Sequence, residues 1–132
     1  MGKEITTVGG WTRTFQEVTP GTLHTKEGYA VEITAASKVQ PYTSGVFIGW
    51  FKGYLEGNSG PVTIALAGPT VRAVQNGAAA AGSRMEPVSG GKMGPTTTAN
   101  DQTYGIKIWP DTNGADGDLI ELMQLPWKFD AA

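Results

Sequence analysis

The chain contains no cysteine and only one histidine, His24. The absence of cysteine excludes disulfide bonds and thiolate metal sites, and it permits a reducing compartment such as the cytoplasm. A nucleophilic dyad or triad would depend entirely on His24, which stands close to the turn-forming residues Pro20 and Gly21. We therefore expect a binding protein rather than an enzyme, with no metal and no cofactor.

Strong charge and long apolar runs are also lacking. The formal net charge is -2, and the 10 lysine and arginine residues are scattered along the chain. Scattered basic residues give no continuous surface for nucleic acid or for an anionic membrane. No apolar run approaches the length of a membrane span, and the first residues carry no hydrophobic segment that would mark the chain for export. We expect neither nucleic acid nor a membrane as partner.

Glycine and proline are abundant, with 19 and 8 copies among the 132 residues. Together with many threonines and valines, they favour short strands and frequent turns over helices. A chain of this length is expected to form one domain with one ordinary hydrophobic core. The composition therefore indicates an all-β domain.

The densest apolar stretch runs from Ser44 to Gln75 and predicts two core strands joined by a turn. Val46–Phe51 is apolar on both faces, with Val46, Ile48 and Trp50 on one face and Phe47 and Phe51 on the other. Turn residues fill Glu56–Pro61, and Val62–Leu66 then alternates as a half-buried strand does.

Alternating apolar residues predict further strands elsewhere in the chain. These strands are Tyr29–Ile33, Thr70–Gln75, Tyr104–Trp109 and Leu119–Leu125, the last of which should end at Pro126. Val39–Thr43 is predicted as a connector around Pro41, and Gly82–Asn100 as a long glycine-rich loop. The predicted fold is a small β-barrel or sandwich-like domain of roughly six to eight strands.

Residues 1–28 contain few aliphatic side chains, so we predict an extended N-terminal arm, with residues 29–132 as the single β domain. Trp11, Arg13 and Phe15 share one face of an extended segment, and the backbone around Ile5 and Val8 could add a strand to a partner. In the alternative arrangement the arm folds back, and Trp11 covers the barrel of its own chain.

The turn Asp111–Asp118 is crowded with acidic residues, asparagine and glycine, so calcium has to be considered. The EF-hand spacing fails, because Ala115 and Asp116 stand where a ligand and a glycine are needed and Leu122 stands at position twelve. A tight turn stabilised by side chains bonded to the backbone is the simpler interpretation.

The four tryptophans offer a separate hypothesis, because sugars stack on exposed aromatic rings. Trp50 belongs to the core stretch and Trp109 to a strand end, which leaves Trp11 and Trp127 as candidate platforms. Such aromatic residues are equally typical of protein interfaces. A carbohydrate-binding β domain of a phage tail or a cell-surface protein therefore stays open as an alternative function.

The order of several short motifs resembles that of the head-decoration, or capsid-cement, proteins of tailed bacteriophages. The motifs are Gly28–Val31, Gly45–Gly49, Asn76–Met85, Gly90–Met93, Tyr104–Ile106 and Gly117–Leu122. The resemblance covers roughly residues 28–126 and rests on the overall pattern, since no single motif is diagnostic.

The resemblance implies a small β-barrel-like domain that forms a homotrimer at three-fold or quasi-three-fold sites on the outer surface of the phage head. The partner would be the major capsid protein, and assembly would take place in the host cytoplasm. An N-terminal arm would meet the shell, here through Ile5, Val8, Trp11, Arg13 and Phe15. We expect Trp109, Trp127 and Phe129 at a protomer or capsid interface.

Overall fold

Ten strands make up the regular structure of the described residues. The computed structural model describes residues 11–67, 70–96 and 102–130, with only the backbone described at 67, 102–103 and 125–130. The strands are β1 (Trp11–Glu17), β2 (Ala30–Ile33), β3 (Lys38–Pro41), β4 (Val46–Tyr54), β5 (Val62–Ala67), β6 (Thr70–Val74), β7 (Arg84–Pro87), β8 (Met93–Pro95), β9 (Gln102–Trp109) and β10 (Leu119–Asp130). The predicted all-β fold is confirmed.

The first five strands close a small barrel in the order β1-β3-β2-β4-β5, and the last five form a sheet in the order β6-β10-β9-β7-β8. The barrel encloses an apolar cluster of Leu23, Val31, Val39, Phe51, Val62 and Ile64. A second cluster joins the two sheets, because Trp50 of β4 packs with Ile120 and Leu122 of β10. Phe47 extends this contact. Its ring centroid lies 4.9 Å from that of Trp50 and 5.0 Å from that of Tyr104 of β9, and both pairs pack edge to face.

The predicted arm is wrong for residues 11–17, which form a barrel strand. β1 pairs antiparallel with β5 and parallel with β3, so the barrel closes through it. Inward, Phe15 packs on the barrel cluster, and the buried Glu17 accepts hydrogen bonds from the Gly21 and Leu23 amides and from the Tyr54 hydroxyl. A strand can therefore close the barrel with few aliphatic residues of its own.

The face assignment within β4 is also corrected. The register between β2 and β4 shifts between Val31 and Glu32, whose partners on β4 are Gly49 and Phe47. This bulge places one extra residue in β4, and such a residue reverses the alternation of side chains. Ile48 consequently packs on the barrel cluster with Phe51, whereas Phe47 and Trp50 share the cluster between the sheets.

Three further boundaries differ from the predictions. The predicted connector at Pro41 contains β3, which tolerates the proline because β1 pairs with β3 only at Lys38 and Val39 and leaves Pro41 without a partner on that side. The predicted glycine-rich loop contains β7 and β8, anchored by the buried Met85 and Met93, while residues 97–100 lie outside the described part. β10 continues past Pro126, and its pairing with β9 is interrupted between Gln124 and Phe129.

Candidate functional site

A groove with a volume of about 500 Å³ lies between the barrel and the second sheet. Trp11 and Trp50 contribute to its barrel side, and Arg72, Leu119 and Glu121 contribute to its other side. β6 stands at the end of its sheet, so no described strand pairs with its outer edge, and Thr70–Arg72 lines the groove. The groove therefore combines aromatic rings with a sheet edge.

A smaller depression of about 160 Å³ adjoins the groove and carries the predicted interface residue Trp109. The two concavities share Arg72, Leu119 and Glu121. Trp11, Trp109 and Leu119 are 63%, 57% and 46% exposed, and we call these three residues the apolar rim. The rim is the part of this surface where large apolar side chains reach solvent.

Backbone pairing explains why charged side chains lie beside the apolar rim. Glu121 of β10 has Arg72 of β6 and Trp109 of β9 as its register partners. Cross-strand partners point to the same face of a sheet, so the three side chains form one row. The next row along β10 contains the exposed Met123, opposite Ile106 and Thr70.

The charged side chains of the groove balance one another. Glu27 and Glu121 contribute acidic groups, and Lys52 and Arg72 contribute basic groups. Within the part of the chain that the structure describes, neither Arg72 nor Glu121 takes part in a salt bridge. The groove therefore offers both donors and acceptors without a strong field of one sign.

Lys107 of β9 anchors the loops at one end of the second sheet. Its side chain is fully buried, and Nζ donates hydrogen bonds to Gln75 Oε1 at 2.8 Å, the Ala79 carbonyl at 2.6 Å and the Thr112 carbonyl at 2.9 Å. Regular alternation over the predicted strand would place Tyr104, Ile106 and Ile108 on the inner face, but Lys107 is buried there and Ile108 is 44% exposed.

The same contacts account for the turn Asp111–Asp118. The Thr112 carbonyl accepts a hydrogen bond from Lys107, and the Asp118 carboxylate accepts one from the Ala115 amide. The Asp116 carboxylate accepts hydrogen bonds from the Lys92 amino group at 2.9 Å and from the Gly77 amide. The hydrogen bond and charge of Lys92 lower the pKa of Asp116. The described residues contain no cluster of three or more metal-ligating side chains. The turn is thus held by protein groups.

The predicted arm residues have different positions in the structure. Trp11 is exposed at the groove, whereas Phe15 is half-buried against the barrel cluster of its own chain, and the partner contacts of both residues stay predictions. Arg13 covers the Phe15 ring, with its guanidinium carbon 5.5 Å from the ring centroid. Ile5 and Val8 lie outside the described residues.

Of the three predicted interface residues, the structure describes the side chain of Trp109 only. Trp109 is exposed on the rim, while Trp127 and Phe129 belong to β10, where only their backbone is described. The structure thus brings Trp11 and Trp109, which are far apart in sequence, to one surface. The sequence analysis missed Leu119 and Arg72 as surface groups, because only the pairing of β6 with β10 shows which face they share.

Trp50 was predicted as a core residue, and it is also part of the groove wall. The side chain is 1% exposed, and its Nε1 has no hydrogen-bond partner among the described residues. Buried indole N–H groups normally find an acceptor, so Trp50 is, with Thr96, one of two described side chains that leave a buried polar atom without a partner. An apolar pattern in sequence gives no sign of such a donor.

Comparison with protein-family models gives no match for this chain. None of the curated proteins compared with the chain matches it. Among the described residues there is no helix of the length and hydrophobicity needed to cross a membrane.

Proposed function

We propose that this protein is a capsid-decoration, or cement, protein that binds the outer surface of a bacteriophage head and stabilises the shell. Its partners would be the major capsid protein and further copies of itself, arranged as a trimer at three-fold or quasi-three-fold sites. It would assemble in the host cytoplasm and remain on the virion surface. The motif order from Gly28 to Leu122 supports this proposal, and the apolar rim is the structural observation that carries it.

The rim has the chemistry of a protein interface. Trp11, Trp109 and Leu119 expose large apolar side chains beside the charged groups of Arg72 and Glu121. Tryptophan and arginine are enriched where protein surfaces meet, and burial of a tryptophan contributes strongly to binding. A decoration protein needs such a surface, and it needs a rigid domain to present it.

The segment before β1 is the second proposed contact. β1 begins at Trp11, and the preceding residues include Ile5 and Val8, which were predicted to add a strand to the shell. Strand addition draws its affinity from main-chain hydrogen bonds, while side-chain pockets fix the register. Trp11 is the more exposed of the two predicted aromatic anchors, and Arg13 and Phe15 follow it along β1.

The proposal is tested by mixing purified protein with expanded, empty heads from a panel of tailed phages and measuring co-sedimentation. Trp109→Ala should weaken binding by about thirtyfold, because truncating a central interface tryptophan typically costs ~2 kcal/mol. Leu55→Ala is the matched control, since Leu55 is also 57% exposed but lies outside both concavities.

Equal binding by the wild-type, Trp109→Ala and Leu55→Ala proteins would show that the rim is not the contact surface. Failure to bind any head, with a monomer in solution at all concentrations, would contradict the proposed function itself.

A further inference from the structure

The dipeptide Asn113-Gly114 lies in the loop that is bonded to the buried Lys107. The Asn113 carbonyl accepts hydrogen bonds from Gln75 Nε2 at 2.8 Å and from the Ala79 amide at 3.0 Å, and Lys107 Nζ lies 3.5 Å from the same oxygen. Gln75 and Lys107 are both fully buried. The oxygen of this one peptide group is therefore surrounded by donors that the fold holds in place.

Lys107 brings a positive charge to this oxygen. Three closer acceptors, on Gln75, Ala79 and Thr112, use the three hydrogens of a protonated amine, so the geometry is that of the charged form. Within the described part of the chain, no carboxylate forms a salt bridge with Lys107. A buried charge acts strongly on its neighbours because little water screens it. An anionic form of the Asn113 carbonyl oxygen is therefore stabilised here.

The Gly114 amide is the group that this stabilisation makes reactive. Loss of its proton puts negative charge on the Asn113 oxygen, because the two atoms belong to one conjugated peptide group. No described group accepts a hydrogen bond from this amide, and both residues are exposed. The fold favours glycine at this position, since its φ is +66° and a Cβ would lie 3.0 Å from both Gln75 Nε2 and Asp118 Oδ2.

We propose that Asn113 is a self-modification site, at which the Gly114 nitrogen attacks the side-chain amide carbon of Asn113. The bond between Gly114 N and Asn113 Cγ forms, the bond between Cγ and Nδ2 breaks, and the Gly114 amide proton leaves with Nδ2 as ammonia. Water then opens the resulting succinimide ring at one of its two carbonyl carbons, which gives aspartate or isoaspartate. Water is the sole co-reactant. This inference does not depend on the proposed role on the capsid.

The same dipeptide occurs at Asn76-Gly77, where the surroundings are opposite. The Gly77 amide donates to Asp116 Oδ1 at 3.0 Å, so a carboxylate opposes the loss of its proton. No described group donates a hydrogen bond to the Asn76 carbonyl. Asn76 is exposed, as Asn113 is. The chain thus contains its own matched control.

The test follows both sites by peptide mapping and mass spectrometry after the full chain has been incubated in neutral buffer made with ¹⁸O-labelled water. Trypsin, used afterwards in ordinary water, places the two asparagines on separate peptides by cleaving after Arg72, Arg84, Lys107 and Lys128. In the folded chain Asn113 should convert at least about tenfold faster than Asn76, a modest share of what one preorganised oxyanion donor can contribute. In urea that unfolds the chain, the two rates should agree within about twofold, since neither dipeptide then has fixed surroundings.

Lys107→Met tests the proposed cause, because it removes the charge and keeps a side chain of similar length. Conversion at Asn113 should slow by about threefold or more in the folded variant, with folding checked by circular dichroism. The inference is wrong if Asn113 converts no faster than Asn76 in the folded wild type, if their ratio persists in urea, or if folded Lys107→Met keeps the wild-type rate at Asn113. The first two criteria are measured on the wild-type chain and apply whether or not the variant folds.

Discussion

Single residues show how this fold accommodates buried polar groups. Glu32 on β2 is 5% exposed, and its carboxylate accepts the backbone amides of Thr43, Ser44 and Gly45 at 2.8, 3.2 and 2.7 Å. Gln40 Nε2 donates to the same carboxylate at 2.7 Å. This carboxylate therefore fixes the turn between β3 and β4, from which the core strand β4 begins.

Glu32 should make stability depend on acid pH. Burial raises its pKa, but the hydrogen bonds from Thr43, Gln40 and Gly45 together lower it from 4.5 to about 2. Because the folded pKa lies below the unfolded one, the stabilisation is complete at neutral pH and is lost as pH falls from about 4.5 to about 2. Glu32→Gln should remove this part of the pH dependence and lower stability at pH 7 by about 2 kcal/mol.

The measurement is the free energy of unfolding in urea for both proteins, at neutral pH and at steps through the acid range. Glu56→Gln, in the exposed turn after β4, is the control for loss of a carboxylate. If Glu32→Gln and the wild type lose stability in parallel below pH 4.5, Glu32 does not have the assigned role.

Sequence patterns predict side-chain direction well only where apolar and polar residues alternate without exception. Tyr104–Trp109 predicted a strand correctly, but its charged residue, Lys107, points inward because loop carbonyls that are distant in sequence receive its hydrogen bonds. Likewise Trp50 was placed in the core correctly, while its unpartnered Nε1 could not be predicted. Such contacts exist only once the loops have folded together.

At the scale of strands, β1 is the misassigned element with the largest consequence, beside the missed short strands β3, β7 and β8. Its outward face carries Thr12, Thr14 and Gln16, and inward it has Phe15 and Glu17 rather than a row of aliphatic residues. Low apolar density therefore indicated an arm, although the barrel needs this strand between β3 and β5. The strands β2, β4, β5, β6 and β9 were predicted because each carries its own alternating or continuous apolar pattern.

The position of β1 predicts which truncation the domain tolerates. Deleting residues 1–20 removes β1 and leaves the facing edges of β3 and β5 without their partner, so the domain should unfold or lose its cooperative transition. Deleting residues 1–10 leaves every described strand intact and should change the melting temperature by only a few degrees. Circular dichroism during heating compares the two truncations with the full chain.

The shorter truncation also separates folding from binding. Under the proposed function, a chain that lacks residues 1–10 should stay folded and bind heads more weakly, because Ile5 and Val8 are gone. A folded product of the 1–20 deletion with the melting temperature of the full chain would contradict the assignment of β1 as a barrel strand.

At the scale of the whole molecule, a closed barrel and an open sheet share one cluster of aromatic and aliphatic residues. Trp50, Phe47 and Tyr104 link the two parts, and the groove and the apolar rim lie along their junction. A barrel has no free edge, whereas the second sheet has β6 and β8 as its end strands, joined by a single bridge between Gln75 and Met93. New contacts are therefore expected at the second sheet and the junction rather than around the barrel wall.

Cryo-electron microscopy of heads incubated with the protein would show whether this junction meets a phage shell. The proposed function predicts trimeric density at three-fold or quasi-three-fold sites on the outer surface, with Trp109 and Leu119 buried against the capsid protein or a neighbouring protomer. Isolated monomers at positions unrelated to any three-fold axis, or density in which the apolar rim faces solvent, would contradict it.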